Sequence, residues 1–219
     1  MGRYDCLVTA DRANGIQMAV SAARRHQLVV LPTDTVYAVA CDAFSPRAVA
    51  ALDEAKGRVG GTSLPVMVGS PRTLDGLVMG LTVQGRELVQ AFWPGALTVV
   101  CEQQPSLTWE IGSSDEVAVR MPLHPLALDV LRGVGPMVVI TANRIGEPAP
   151  TTCDAAFDQL GAAVEVYLDG GPMAAAPPSS IVDLTGPEPI LLREGALDVE
   201  LLRTVAPDLR TQDDDSGAP

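Results

Sequence analysis

Short apolar runs alternate with segments of helical periodicity along most of this chain, and this alternation restricts its fold more than any other feature. Residues 27–31 and 137–141 are apolar runs of the kind found in strands buried on both faces. Residues 11–25 carry apolar side chains at helical spacing. Helix and strand stop alternating strictly towards the carboxyl terminus. The pattern therefore predicts an α/β fold with a twisted mixed β-sheet and flanking helices.

The sequence contains both a start signal and a stop signal for one helix. Ser45 is a good helix cap, and Pro46 suits the first helical position because its ring fixes the backbone there. Gly57 is a suitable stop. We therefore predict a helix between these residues, and a second one that opens in the same way at Ser70-Pro71.

Size and charge limit the organisation and the partners. The 219 residues are 47% hydrophobic, which suits one compact domain, and we assign residues 1–206 to it. Residues 207–219 are predicted to be an acidic disordered tail. With 15 cationic and 27 anionic residues the net charge is −12, so strong nucleic-acid binding through overall charge is excluded.

The cysteine and histidine content indicates a protein of a reducing compartment and argues against a zinc site. The four cysteines are widely spaced and there are only two histidines, so neither a disulfide framework nor a zinc site is expected. The first residues contain no apolar signal segment, and no apolar run is long enough to cross a bilayer. We expect a cytoplasmic protein without membrane association.

The familiar nucleotide and hydrolase motifs do not occur. The sequence contains no GxxxxGK[ST] phosphate loop, no GxGxxG dinucleotide fingerprint and no GxSxG nucleophile elbow. His124 stands between two prolines, which favours a role at a helix entry over a catalytic one.

Two polar segments follow predicted elements early in the chain. Residues 32–37, Pro-Thr-Asp-Thr-Val-Tyr, come directly after a buried strand, where ligands of α/β sheets bind; a turn closed by Thr33 or Asp34 is an equal alternative. Lys56-Gly57-Arg58 stands at a helix end. If both cations serve one polyphosphate, the chain must leave the helix at Gly57, and residues 60–63 would form a mobile flap.

Four further segments carry polar groups at strand ends. Arg120 closes an apolar strand and needs an anionic partner, which is either a local carboxylate or a substrate carboxylate. Thr141 and Asn143 are two residues apart and point to the same side of an extended chain. Ser179-Ser180 opens a strand, and Arg193 precedes a turn glycine.

Taken in order, these segments resemble the YrdC/TsaC family, the threonylcarbamoyl-AMP synthases. The family pattern runs P-T-[ED]-T-x-Y-G, K-x-R, W-P-G-x-[LM]-T, R-x-P-x-H, S-x-N, S-T-[IV]-V-D and L-R-x-G. The matching stretches of this chain are residues 32–38, 56–58, 92–98, 120–124, 141–143, 179–183 and 192–195. The resemblance covers about residues 15–200 and is closest to the single-domain form, so it implies a YrdC-like fold.

The resemblance implies the joining of L-threonine, bicarbonate and ATP to L-threonylcarbamoyl-AMP, with release of pyrophosphate. The product would pass to a separate tRNA threonylcarbamoyl transferase complex, and Mg²⁺ would accompany ATP as its phosphate-bridging ion. Lys56 and Arg58 would be catalytic. The other implied roles are ATP binding by Lys56, Arg58, Asn143, Thr151 and Arg193, and L-threonine binding by Thr35, Tyr37, Arg120, Thr141 and Ser180.

Three positions depart from the family pattern. Ala38 replaces a glycine, Thr141 a serine and Ser180 a threonine, so the shape of the amino-acid pocket differs by single methyl groups. The alternatives are a carbamoyl-AMP-forming or otherwise diverged YrdC-like protein with a different acyl or amino-acid substrate, and a non-enzymatic RNA-binding module.

Overall fold

The structure is a computed structural model that describes residues 1–59, 63–112, 114–174 and 176–212. Its strands are Gly2–Asp5 (β1), Val29–Pro32 (β2), Tyr37–Asp42 (β3), Val66–Met67 (β4), Leu97–Glu102 (β5), Glu116–Arg120 (β6), Met137–Thr141 (β7), Val166–Asp169 (β8), Ser180–Asp183 (β9), Ile190–Arg193 (β10) and Arg210–Thr211 (β11). Its α-helices are Thr9–Arg24 (α1), Pro46–Lys56 (α2), Pro71–Leu77 (α3), Val83–Phe92 (α4), Pro125–Val134 (α5), Cys153–Leu160 (α6) and Val199–Arg203 (α7).

Local capping chemistry sets the ends of α2 as the sequence predicted. The Ser45 side chain accepts a hydrogen bond from the Ala48 N–H, and Pro46 is the first helical residue. Gly57 ends the helix in the left-handed conformation with φ 69°, which glycine adopts at little cost. The chain therefore leaves the helix between Lys56 and Arg58.

The predicted mixed sheet is confirmed. Within the described residues it has eleven strands in the order β1-β8-β2-β3-β7-β4-β6-β5-β9-β10-β11. The sheet contains parallel pairs, such as β1 with β8 and β5 with β9, and antiparallel pairs, such as β3 with β7 and β5 with β6. One cavity is lined by Thr141 at the end of β7, Arg120 at the end of β6, Ser179 just before β9 and Arg193 at the end of β10.

Two boundaries differ from the sequence prediction. Strand β3, which was not expected, pairs antiparallel with β2, so residues 33–36 form a hairpin loop. The fold also continues past residue 206, because Leu209 is buried and β11 pairs with β10. The last part of the predicted tail, residues 213–219, lies outside the described residues.

Buried side chains form two clusters, one on each face of the sheet. Val30 and Val39 belong to one cluster, and their strand neighbours Val29 and Ala40 belong to the other, as the alternation of side chains along a strand requires. Helices α1 and α5 contribute to the second cluster. None of the described helices has the length and hydrophobicity needed to cross a bilayer.

Candidate active site

A cavity of about 320 Å³ lies where the ends of several strands meet. Four of the ten residues predicted for the site line it, namely Thr35, Arg120, Thr141 and Arg193. The other lining residues are Thr33, Val36, Ala38, Pro65, Met67, Val139, Ile140, Pro178 and Ser179. The cavity therefore combines two guanidinium groups with several hydroxyls.

Arg120 is the most deeply buried charge of the cavity, with 6% of its surface exposed. Its Nε–H donates to the Gly95 carbonyl at 2.9 Å, and its Nη2 is ion-paired with the Asp34 carboxylate. Burial lowers the pKa of Arg120, while Asp34 acts in the opposite direction. Of its five N–H donors, two have these partners within the described residues, so the remaining donors are available to a ligand.

The hairpin loop that follows β2 is a turn closed by a threonine. The Thr33 hydroxyl donates to the Val36 carbonyl at 2.7 Å and lies 3.0 Å from the Thr35 hydroxyl. The turn interpretation of this segment is thus confirmed, and Thr35 in the same turn lines the cavity. The turn places Thr35 on the cavity and Asp34 against Arg120.

Arg193, at the end of β10, is tied to the start of β9. Its Nη2 donates to the Ser179 carbonyl at 2.8 Å, and the Ser179 hydroxyl lies 2.8 Å from that of Thr98. The positive charge of Arg193 also acts on Arg120 and contributes to lowering its pKa. The two guanidinium groups therefore create a common cationic field at the cavity.

Ser180 points away from the cavity. Its hydroxyl donates to the Leu197 carbonyl at 2.5 Å and accepts from the Gly195 and Leu197 N–H groups, each at 3.0 Å. Its exposed fraction is 0%. Ser179, its neighbour, takes the lining position. Strand parity gives the signal for this, because Ser180 shares its face with the buried Val182.

Lys56 lies behind the cavity wall. Its ammonium donates to the carbonyls of Thr141 and Asn143, the latter at 2.6 Å, and lies 3.3 Å from the Asn143 Oδ1. Burial, with a smaller effect of Arg58, lowers the pKa of Lys56 to about 8. The ammonium is therefore mainly protonated at neutral pH.

Arg58 takes a different direction from Lys56. Its Nε lies 3.1 Å from Asp53 Oδ1, so the guanidinium lies back along α2. The two cations of this motif thus have separate partners. Most of the flap predicted after them, residues 60–62, lies outside the described residues.

Asn143 and Thr151 belong to the segment that follows β7. The Asn143 Nδ2 donates to the Arg144 carbonyl at 3.0 Å and the Glu147 carbonyl at 2.7 Å, which organises a tight loop. The Thr151 carbonyl accepts from the Met173 N–H at 2.7 Å. Neither side chain lines the cavity.

Tyr37 also faces away from the cavity. Its ring belongs to the opposite core cluster from Ala38, and its hydroxyl donates to the Gly171 carbonyl at 2.7 Å. The same hydroxyl accepts from the Gly170 N–H at 3.0 Å. Burial raises the pKa of Tyr37. This residue anchors a loop instead of shaping the pocket directly.

His124 confirms the helix-entry interpretation. It is the N-cap of α5, and its Nδ1 accepts from the Leu126 N–H at 3.3 Å. The four cysteines are buried and free. No group of three or more His, Cys, Asp or Glu side chains in the described ranges is arranged to hold a metal ion.

A larger cavity of about 630 Å³ lies at the ends of β1 and β8. Its lining includes the carboxylates of Asp5, Asp11, Asp154 and Asp169. Arg3 is ion-paired with two of them, Asp154 and Asp169. None of the predicted site residues lines this cavity, and its acidic lining does not suit an anionic ligand. The smaller, cationic cavity is therefore the candidate site.

Comparison with known proteins shows which family this chain belongs to. The sequence profile of the Sua5, YciO and YrdC proteins, described as "Telomere recombination", matches residues 21–195. The chain belongs to the Sua5/YciO/YrdC family. A family relative from Mycobacterium tuberculosis, provisionally named a threonylcarbamoyl-AMP synthase, is 49% identical over 203 residues, covering 92% of this chain and 94% of the relative. The threonylcarbamoyl-AMP synthase of Pyrococcus abyssi is 34% identical over 197 residues, which is 89% of this chain and 58% of that protein.

Solved structures of the family share the fold. The P. abyssi Sua5 structure complexed with L-threonine has a TM-score of 0.84 and 33% identity, and the match covers 93% of this chain. This chain spans 60% of that Sua5 chain. The Escherichia coli YciO structure has a TM-score of 0.77 at 22% identity and covers 91% of this chain and 96% of its own. The YrdC-like fold inferred from the motifs is thus confirmed.

Proposed function

We propose that this protein is an L-threonylcarbamoyl-AMP synthase. The α-amine of L-threonine combines with bicarbonate to give a carbamate and water. A carbamate oxygen then attacks the α-phosphorus of ATP, and the bond to pyrophosphate breaks. The names of the family relatives and the L-threonine bound to P. abyssi Sua5 support this assignment.

The observation that carries the proposal is the composition of the small cavity. A buried guanidinium with donors to spare, Arg120, lies in the same cavity as the hydroxyls of Thr35, Thr141 and Ser179. We propose that Arg120 binds the substrate carboxylate, since an arginine offers paired donors to two carboxylate oxygens. The hydroxyls would then contact the threonine side chain and the carbamate.

The chemistry needs little acid–base help from the protein. A carbamate is already an anionic nucleophile, so catalysis depends on positioning and on neutralising charge as pyrophosphate leaves. We propose Arg58 and Arg193 for the phosphates. Asn143 and Thr151, on the segment after β7, would approach the nucleotide.

Magnesium is proposed as a companion of ATP. A magnesium ion in such sites is held largely by phosphate oxygens and water. Asp34, the carboxylate beside the cavity, is already ion-paired with Arg120, so the donor set fits an ion carried in by the nucleotide. A metal titration of pyrophosphate release tests this point.

The product is a mixed anhydride, and its chemistry suggests immediate use by a second protein. We propose that a tRNA threonylcarbamoyl transferase complex consumes it in the cytoplasm. The net charge of −12 favours transfer of the small molecule over direct binding of tRNA by this chain.

A product assay tests the proposed function. ATP, bicarbonate and one amino acid at a time are supplied, and pyrophosphate and the adenylate are measured by mass spectrometry. We expect L-threonine to exceed serine by about 10- to 200-fold in kcat/KM, because one methyl contact is worth about 1–3 kcal/mol. It should exceed valine by more than that, because valine leaves the hydrogen-bonding partners of the threonine hydroxyl unpaired. Turnover with carbamoyl phosphate in place of threonine and bicarbonate would instead indicate a carbamoyl-AMP-forming enzyme. RNA binding without turnover would indicate the binding module.

A further inference from the structure

Lys56 is the only lysine in a chain that contains 14 arginines. Every other cationic Lys or Arg position in this sequence is an arginine. The single exception has 6% of its surface exposed and stands at the back of the candidate site. Its chemistry therefore points to a requirement that only an ammonium group meets.

The oxygen atoms around Lys56 account for this requirement. Its Nζ has three partners, the Thr141 carbonyl, the Asn143 carbonyl at 2.6 Å and Asn143 Oδ1 at 3.3 Å. An ammonium has three donors on one atom, so all of them are used. A planar guanidinium presents its donors in a wide fork and does not match three oxygens that converge on one point.

The main chain adds a further connection at the same place. The Ile145 N–H donates to the Lys56 carbonyl at 3.1 Å, so residue 56 binds residues 141–145 through both its side chain and its backbone. The Asn143 amide in turn donates to the Glu147 carbonyl at 2.7 Å. The end of α2 and the loop after β7 thus form one hydrogen-bonded unit.

This hydrogen-bonded unit of α2 and the loop after β7 includes Thr141, a residue that lines the cavity. Thr141 lines the cavity and pairs with Ala38 across β3 and β7. The Thr141 carbonyl is held from behind by the ammonium, whereas its side chain faces the ligand space. Lys56 therefore adds a second restraint, besides the pairing with β3, on a residue that lines the cavity.

We propose that Lys56 is a positioning residue that holds Thr141 and the loop after β7 and makes no contact with the triphosphate. The proposal rests on the proposed function for its substrates. It separates the two cations of the K-x-R motif, since phosphate contact is left to Arg58. It replaces the catalytic role that the sequence motif implies for Lys56.

Kinetics and binding measurements separate the two roles. Lys56→Met keeps an unbranched side chain that is one atom shorter and removes its donors, and Arg58→Met is the matched control on the same motif. We expect Lys56→Met to raise the KM for L-threonine more than tenfold and to change the Kd for ATP, measured by calorimetry, less than threefold. Arg58→Met should raise the Kd for ATP more than tenfold. Equal weakening of ATP binding in both variants would overturn the proposal.

A second measurement needs no turnover and keeps the two proposals apart. Backbone hydrogen exchange of residues 141–147 should become faster in Lys56→Met and in Lys56→Arg, and should stay as in the wild type in Arg58→Met. Unchanged exchange in Lys56→Met would refute the positioning role even in an active enzyme. A wild-type protein without turnover, but with the expected exchange pattern, would refute the proposed function alone.

Discussion

The Ser180→Ala variant, which removes one buried hydroxyl, should be less stable than the wild type. The neighbouring Ser179→Ala variant should mainly lose activity. The Ser180 hydroxyl makes three hydrogen bonds to the Gly195–Leu197 turn and has 0% of its surface exposed. Alanine leaves two N–H donors and one carbonyl without their partner. A buried group left unpaired costs about 1–3 kcal/mol, and the half-buried turn recovers part of this from water, so we expect a loss of about 2–3 kcal/mol in the free energy of unfolding.

That loss corresponds to a fall in Tm of about 4–12 °C for a domain of this size. Thermal unfolding followed by circular dichroism measures it, and pyrophosphate release measures activity below the transition. Ser179→Ala is the control, since Ser179 lines the cavity and bonds with Thr98 and Arg193. It should lower kcat/KM for threonine at least tenfold and lower Tm by less than Ser180→Ala does. The reverse order of stabilities would refute the assignment of faces to these two serines.

Three other predictions follow from described contacts. The pKa of Lys56 is lowered from 10.5 to about 8, so the ammonium is lost as the pH rises past 8, and the KM for threonine should rise there. Because the unfolded chain binds more protons between pH 8 and 10.5, the Tm of the wild type relative to Lys56→Met should rise across this window; a fall would contradict the lowered pKa. A Cβ at Gly195 would lie 2.2 Å from the Pro178 carbonyl oxygen, so Gly195→Ala should displace the start of β9 and reduce pyrophosphate release at least tenfold; near-normal turnover would show that the backbone yields easily. Tyr37→Phe loses the bonds to the Gly171 carbonyl and the Gly170 N–H and should lower the free energy of unfolding by about 1–3 kcal/mol, with the KM for threonine within twofold of the wild type; a larger change in KM would indicate that Tyr37 contributes to the pocket.

Local rules recovered much of the fold from sequence. Ser45, Pro46 and Gly57 set both ends of α2, because capping depends on neighbouring residues only. Strand β3 was missed, since residues 37–42 follow a polar motif directly and carry no turn signal of their own. Sheet order depends on pairings between distant residues, which periodicity does not report.

The site was predicted less completely, for a related reason. Arg120 and Thr141, both predicted for the site, line one cavity, because strand ends gather polar groups. The anionic partner that Arg120 needs is the carboxylate of Asp34, which is 86 residues away in the chain. Lys56 finds its acceptors 85 and 87 residues away. Contacts of this range decide which cation remains available to a ligand, and no spacing rule reveals them.

The order of the strands has a mechanical consequence for the cavity. Strands β3 and β10 both contribute lining residues, although five strands separate them. On a flat sheet that distance would be about 29 Å at a spacing of about 4.8 Å per strand. The sheet must therefore roll up to bring the two halves together, with the two-residue β4 between them. A ligand that contacts both halves would stabilise the rolled form of the sheet. Its binding should therefore slow amide exchange even in strands that it does not contact.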